Sequence, residues 1–501
     1  MAKKSSTKAL GFEEQIWDAA CKLRGNIDAS EYKNVVLGLI FLKYVSDSFD
    51  LRHQELMEEN DGFEEERDAY AESNTFWIPK EARWERVAAA AHMPEVGKVI
   101  DESMRRIEQE NGRLKNVLPK NFARPELDKR RLGDVVDLFT NVKMAERGNS
   151  HDLLGRTYEY CLAQFASQEG KNAGEFYTPR CVVQTLVSVI EPFKGRVYDP
   201  CCGSGGMFVQ SAEFVKVHQG SISDISVYGQ ESNPTTWKMA TMNLAIRGID
   251  ADLGPTNADT FFNDLHKTER FDFVLANPPF NLSDWGGDKL RDDPRWDYGV
   301  PPEKNANFAW MQHMIHHLSQ KGRIGMVLAN GSLSSQQSNE GEIRKNIIEA
   351  DLVEGIIAMP TQLFFSTQIP VCLWFLSKDK SQHGKTLFVD AREMGTMVTR
   401  AHRQLTDDDI TRISSAFDAF RDGTLEGEKG FSAAASTAEI AKQDYVLTPG
   451  RYVGIADIED DGEPFEEKMT RLTSELSRSF AESNRLQEEI RKSLEAIGYE
   501  L

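Results

Sequence analysis

The sequence is poor in several things. Its six cysteines (Cys21, Cys161, Cys181, Cys201, Cys202 and Cys372) form no C-x-x-C pair, which argues against a disulfide framework and against a zinc site. No apolar run is long enough to cross a bilayer. The longest, from Val35 to Val45, is interrupted by Lys43, and the start, MAKKSSTKALGFEEQIW, carries lysines but no apolar leader segment. Both absences predict a soluble chain in a reducing compartment, the cytoplasm, without a membrane partner. Positive charge is also scarce: Lys+Arg 59 against Asp+Glu 79 gives a formal net charge of -20, so the surface as a whole repels polyanions. Contact with nucleic acid would need a local basic patch or a partner that carries positive charge.

What is present suits a large folded protein. Hydrophobic residues make up 40% and charged residues 28% of 501 residues, enough for two to four domains at about 150 residues each. Residues 1–166 read as a helical domain, with apolar residues at three- and four-residue steps (Ile16, Ala19, Ala20, Leu23; Leu37, Ile40, Phe41, Tyr44). Residues 167–420 change to short β-branched runs between helical stretches, an α/β pattern with a mostly parallel sheet. Its candidate strands are 196–199, 226–230, 271–276, 323–328, 353–358, 371–376 and 386–390. Residues 421–463 read as a linker and turn-rich segment containing the run LTPGRYVG, and 464–501 as a C-terminal helix. In that helix Phe465, Met469, Leu472, Leu476, Leu486, Ile490 and Ile497 form a stripe broken by Ser479, Ser483 and Ser493. The stripe suits either a partner-docking helix or packing on its own domain.

The chemistry concentrates in the α/β region. Val197-Tyr198-Asp199 is a strand ending in an acid, followed by a glycine-rich turn, Gly203-Ser204-Gly205-Gly206, that opens a helix. Glycines let the backbone approach a ligand closely. A dinucleotide fingerprint would need a further glycine where Phe208 stands, which disfavours a pyrophosphate. Glu231 ends the next strand, where an acid can take ribose hydroxyls. The apolar strand 271–276 then runs into Asn277-Pro278-Pro279-Phe280. An amine conjugated to a purine ring must become more tetrahedral before it attacks a methyl group, and two acceptors on its hydrogens favour that change. Asn277 offers a side-chain oxygen and Pro278 a backbone carbonyl, while Pro278 and Pro279 restrict the backbone. Phe280 offers a face on which an extruded base can stack.

With Gly170-Lys-Asn-Ala-Gly174-Glu175-Phe176-Tyr177-Thr178-Pro179-Arg180 upstream, the sequence resembles the S-adenosylmethionine-dependent N6-adenine methyltransferases in their gamma motif order. The helical first third and LTPGRYVG extend the likeness to the modification (M) subunits of type I restriction-modification systems. The resemblance implies a Rossmann-like methyltransferase fold with an N-terminal helical domain and a C-terminal helix. It implies that Glu175, Phe176, Tyr177, Thr178, Pro179 and Arg180 wrap the methionine end of the cofactor. Asp199, Gly203, Ser204, Gly205 and Gly206 would lie under it, Glu231 would hold the ribose and Asp259 would approach the adenine. Asn277, Pro278, Pro279 and Phe280 would hold the flipped target adenine. It further implies double-stranded DNA as substrate, a separate specificity subunit, a second M subunit and a restriction subunit as partners. A methyltransferase for RNA or a glutamine amide, or an architectural subunit with an unused pocket, remains an alternative at this stage.

Three further features carry expectations. The loop 281–305, with Asp284, Trp285, Asp288, Arg291, Asp292, Asp293 and Trp296, is expected to be mobile before DNA arrives. His313, His316 and His317 share a helix face but have no nearby carboxylate motif, so no metal site is expected. Asp407-Asp408-Asp409 after Thr406 is expected to be a capped helix start.

Overall fold

The computed structural model describes residues 29–141, 178–364, 369–400, 402–455 and 465–496, together with residues 16–17, 21, 157–158, 160–162 and 164–165. The glycine-containing stretch from 170 to 177, and with it Glu175, Phe176 and Tyr177, lies outside the described residues. The remainder divides into a compact unit reaching Gly454 and a second unit from Ile455 onward.

In the first unit, helix α1 (Ala29–Glu59) is apolar nearly all round between Val35 and Val45, where Val35, Leu39, Phe41, Leu42 and Val45 are all buried, and turns polar toward its C-terminus. Such a helix belongs in a core. Around it lie α2 (Val96–Glu110), which buries Val96, Ile100, Met104 and Ile107 on one face, and α3 (Lys129–Thr140). Asp128 caps α3 by accepting from the backbone N–H groups of Arg130 and Arg131. The helical region joins the α/β region directly. Tyr44 Oη donates to the Ile246 carbonyl at 3.1 Å, and Arg113 pairs with Asp250 at 3.2 Å. Residues 1–166 and 167–420 therefore do not separate into two compact units among the described residues.

The α/β region is built on strands β1 (Gly195–Asp199), β2 (Ile225–Gly229), β3 (Ala251–Asp252), β4 (Phe271–Ala276), β5 (Leu318–Ala329), β6 (Val353–Ala358), β7 (Val371–Ser377) and β8 (Lys385–Asp390). A small hairpin, β9 (Thr396–Met397) with β10 (Arg403–Gln404), stands apart, and β11 (Ser432–Ser436) returns to the main sheet. The main sheet runs β11-β8-β6-β7-β5-β4-β1-β2-β3 among the described residues. β1 is parallel to both β2 and β4, whereas β7 lies antiparallel between β5 and β6. Every residue of β6 and β7 is buried, as strands covered on both faces require. All seven candidate strands are present.

Helices α4 (Arg180–Ile190), α5 (Gly206–Val217), α6 (Pro234–Ile246), α7 (Asn307–His317), α8 (Glu340–Glu349) and α9 (Asp407–Arg421) complete the region. Thr406 and Asp409 form a reciprocal capping box at the start of α9, as the acidic run predicts. The chain order reverses between β1 and β4, so the crevice beyond their carboxyl ends is where an open α/β sheet binds its ligand.

Two expectations are corrected here. The segment 421–463 is not simply a linker: β11 pairs antiparallel with β8, Ala434 facing Leu387, and Tyr452 stacks on Phe388 at 3.8 Å. The run Ser432-Ala-Ala-Ala-Ser436 has no β-branched residue and so reads as a loop, yet an edge position accepts small side chains. The loop 281–305 is also packed rather than loose. Trp285, Arg295 and Trp296 are buried, Trp285 Nε1 donates to the Pro302 carbonyl at 3.1 Å, and Asn281 and Asn307 exchange hydrogen bonds at 3.1 and 2.9 Å. Its aromatic side chains join the core of the α/β region, Trp285 packing on Phe261 and on Trp296, which a reading by polarity alone misses.

The second unit contains helix α10 (Phe465–Ala496). Met469, Leu472, Leu476, Phe480, Leu486 and Ile490 are exposed along it. Phe465 and Ile497, the outer members of the expected stripe, lie outside the side chains described. No described helix is long and apolar enough to cross a membrane.

Candidate active site

Beyond the carboxyl ends of β1 and β4 lies a cleft. Its lining includes Thr178, Arg180, Asp199, Gly203, Ser204, Gly206 and Asn277, bringing three separate sequence motifs to one space. Pro179, Gly205, Glu231, Asp259, Pro278, Pro279 and Phe280 are not part of that lining.

The glycine turn is held from several sides. Gly203 and Gly205 have φ of +54° and +81°, the left-handed region that an L side chain resists. A Cβ on Gly203 or Gly206 would meet no protein atom within 4 Å, so the space beside both is open to a ligand. Glu231 Oε2 accepts from the Gly203 N–H at 3.1 Å, and Asn243 Nδ2 donates to the Ser204 carbonyl at 2.7 Å. Arg247 in turn donates to the Asn243 side-chain oxygen. Asp199 is buried and accepts from the Cys201 N–H at 3.0 Å. Burial, with the nearby Glu231 charge, pushes its carboxyl up to about 7 despite that hydrogen bond.

Loops from neighbouring strands are laced together. The fully buried Gln230 donates to the Ala258 and Asn263 carbonyls at 3.3 and 2.7 Å, and its Oε1 accepts from Leu265 N–H at 3.0 Å. Thr260 Oγ1 donates to the Pro200 carbonyl at 2.5 Å. Asp259 Oδ1 accepts from the N–H groups of Phe261 and Phe262 at 2.8 and 3.3 Å, closing a turn, while its other oxygen takes no part in that turn.

Asn277 closes β4. Its Nδ2 donates to Thr178 Oγ1 at 2.8 Å, whereas Oδ1 is buried without a hydrogen-bond partner among the described residues. A buried unsatisfied oxygen costs roughly 1–3 kcal/mol, so it is a place to look for a substrate donor. Phe280 meets Phe364 edge-on, with ring centroids 5.9 Å apart. Asn243, Arg247, Gln210 and Phe364 carry no motif, and only the fold brings them here.

The histidines of α7 also find a carboxylate that their local sequence lacks. Asp264, His313 and His317 offer atoms within 4.8 Å of one another. Their nitrogens are engaged in hydrogen bonds: His317 Nδ1 donates to the Glu269 carbonyl at 3.1 Å and Nε2 to Asp264 at 2.9 Å. His313 Nε2 meets the Tyr198 hydroxyl at 3.2 Å, and Nδ1 accepts from Arg295 at 3.0 Å. An arginine donating into a member of the cluster makes it a hydrogen-bonded network of the core. Burial would raise the Asp264 carboxyl, but the His317 hydrogen bond and the neighbouring imidazoles outweigh it and hold the group down to about 2.

The sheet order, the antiparallel β7 and a glycine turn at the end of β1 define the Rossmann-like fold of S-adenosylmethionine-dependent methyltransferases. Comparison with known proteins agrees. A family described as N-6 DNA methylase matches residues 149–461, and one described as HsdM N-terminal domain matches residues 12–139. The HindI methylase subunit of Haemophilus influenzae, a type I restriction enzyme, is 47% identical over 445 residues, covering 84% of this chain and all of that protein. The MjaIX methylase subunit of Methanocaldococcus jannaschii is 39% identical over 515 residues, covering 97% and 92%. A solved type I restriction-modification methyltransferase subunit from Streptococcus thermophilus superimposes with a TM-score of 0.77 at 27% identity, over 89% of this chain and 99% of that one. The chain belongs to the N-6 DNA methylase family, among the methylase subunits of type I restriction enzymes.

Proposed function

We propose that this chain, in the cytoplasm, transfers a methyl group from S-adenosylmethionine to the N6 of an adenine flipped out of double-stranded DNA. The cleft fits the cofactor: open space at Gly203 and Gly206, an acid beneath and an orphaned acceptor at its edge. When bound, the cofactor supplies the methyl group on a positively charged sulfur. Thr178, Pro179 and Arg180, with Glu175, Phe176 and Tyr177 before them, would enclose its methionine end. Asp199 and the glycine turn would support it from below, Glu231 would take the ribose and Asp259 the adenine.

The Oδ1 of Asn277, buried and without a partner among the described residues, carries the reading. With its amide nitrogen on Thr178, that oxygen is left to accept from the target amine. The Pro278 carbonyl would accept the second amine hydrogen, Pro279 would stiffen the turn, and Phe280 would stack on the base. Holding both hydrogens favours a tetrahedral nitrogen whose lone pair can attack in line, without a covalent enzyme intermediate.

Sequence recognition would fall to a separate specificity subunit, with a second copy of this chain and a restriction subunit joining the assembly. A net charge of -20 supports this division, because the chain alone repels a polyanion. The test is a competition among duplex DNA, RNA and a glutamine peptide, with labelled cofactor and the specificity partner present. Label on adenine N6 of duplex DNA is expected; label on RNA or peptide would overturn the reading.

A further inference from the structure

Asp259 stands on an exposed turn, yet one buried side chain from another part of the chain fixes that turn. Arg295 lies in the loop that follows Asn277–Phe280, and its guanidinium has five N–H donors. Nε and Nη2 donate to the two carboxylate oxygens of Asp293 at 2.8 and 2.7 Å. Nη1 donates to the Thr260 carbonyl at 3.2 Å and to His313 Nδ1 at 3.0 Å, and Nη2 donates to the Phe261 carbonyl at 2.7 Å. Each donor has a partner, and two of those partners are the backbone carbonyls directly after Asp259.

The same arginine secures the loop on the other side of the site. Asp293 and Arg295 lie between Asn281, which is bound to Asn307 on α7, and Tyr298, whose N–H donates to Gln312 Oε1 on the same helix at 2.8 Å. His313, also on α7, anchors the arginine from behind and passes the connection to Tyr198 on β1. The Arg295 ring of contacts therefore ties the turn of Asp259 to the loop that leaves the Asn-Pro-Pro-Phe run.

We propose that Arg295 is a positioning residue for the cofactor's adenine: it holds the Asp259–Phe261 turn so that the Asp259 carboxylate meets the 6-amino group, and it braces that turn against the target-base loop. This rests on the reading of Asp259 given above. A lysine keeps the charge but has a single flexible ammonium, which cannot serve two carbonyls, a carboxylate and an imidazole at once.

The test is calorimetric binding of S-adenosylhomocysteine to the full chain, alongside its analogue with hydrogen in place of the adenine 6-amino group. The unaltered chain is expected to prefer the amino compound by about tenfold, the worth of one hydrogen bond to a charged group. Arg295→Lys should weaken S-adenosylhomocysteine by about tenfold and leave the analogue within about threefold, so that the preference collapses. Asp293→Asn, which retains the side chain's shape, should show the same selective loss in smaller measure and decides the matter if Arg295→Lys does not fold. Equal losses for both ligands, or no loss for either, would overturn the proposal. Failure of the unaltered chain to bind S-adenosylhomocysteine would instead contradict the cofactor reading on which it rests.

Discussion

Asn277 concentrates the chemical claim in one atom. Its amide nitrogen donates to Thr178 and its oxygen is buried without a partner among the described residues, so removing the side chain should leave the cleft standing and take away the proposed acceptor for the amine. Asn277→Ala is expected to reduce methyl transfer by roughly 10²-fold or more. Cofactor affinity, measured by calorimetry, should stay within about threefold. Asp199 makes a second prediction at this scale. Burial and the Glu231 charge push its carboxyl up to about 7, so near neutral pH it is divided between neutral and ionised forms. A positively charged cofactor favours the ionised form. Affinity should therefore be full above about pH 7 and fall by up to about tenfold per pH unit as the pH drops below it. Asp199→Asn should flatten that profile. The folding consequence has the opposite sign: the native state binds the extra proton, so this group's contribution to stability declines as the pH rises through about 7.

Among the elements, the join between α4, β6 and α9 depends on a buried pair. Arg421 donates through Nε and Nη2 to both oxygens of Glu354 at 3.0 and 2.9 Å, and Nη1 donates to the Val189 carbonyl at 2.8 Å. Arg421→Met leaves the Glu354 charge in the core, and denaturant unfolding should show a loss of about 3–5 kcal/mol. The strands themselves were readable, because runs such as Val371–Ser377 are continuously apolar where both faces are covered. β3, of two residues, and β11, of alanine and serine, were not, since partners in the sheet rather than their own side chains make them strands. The glycine turn and Asn277–Phe280 announced themselves because their chemistry depends on adjacent residues. Thr178 on Asn277, Asn243 on Ser204 and Arg295 on the Asp259 turn did not: each joins positions dozens of residues apart and follows only from the folded sheet.

At the level of the whole molecule, a strongly acidic chain in a DNA-methylase family needs a local basic patch or a partner to meet DNA, and the proposed division of labour assigns that role to a specificity subunit. The exposed apolar residues of α10 offer one route to a partner. Deleting residues 464–501 is expected to weaken co-purification with the specificity subunit while cofactor affinity is retained; undiminished co-purification would exclude α10 from that role. The most direct test of the central claim is a map of N6-methyladenine across the host genome by long-read sequencing, comparing the native chain with Asn277→Ala at its own locus. The account predicts that methylation disappears from a single sequence motif and persists elsewhere. An unchanged map, in a host with no second enzyme acting on that motif, would contradict it.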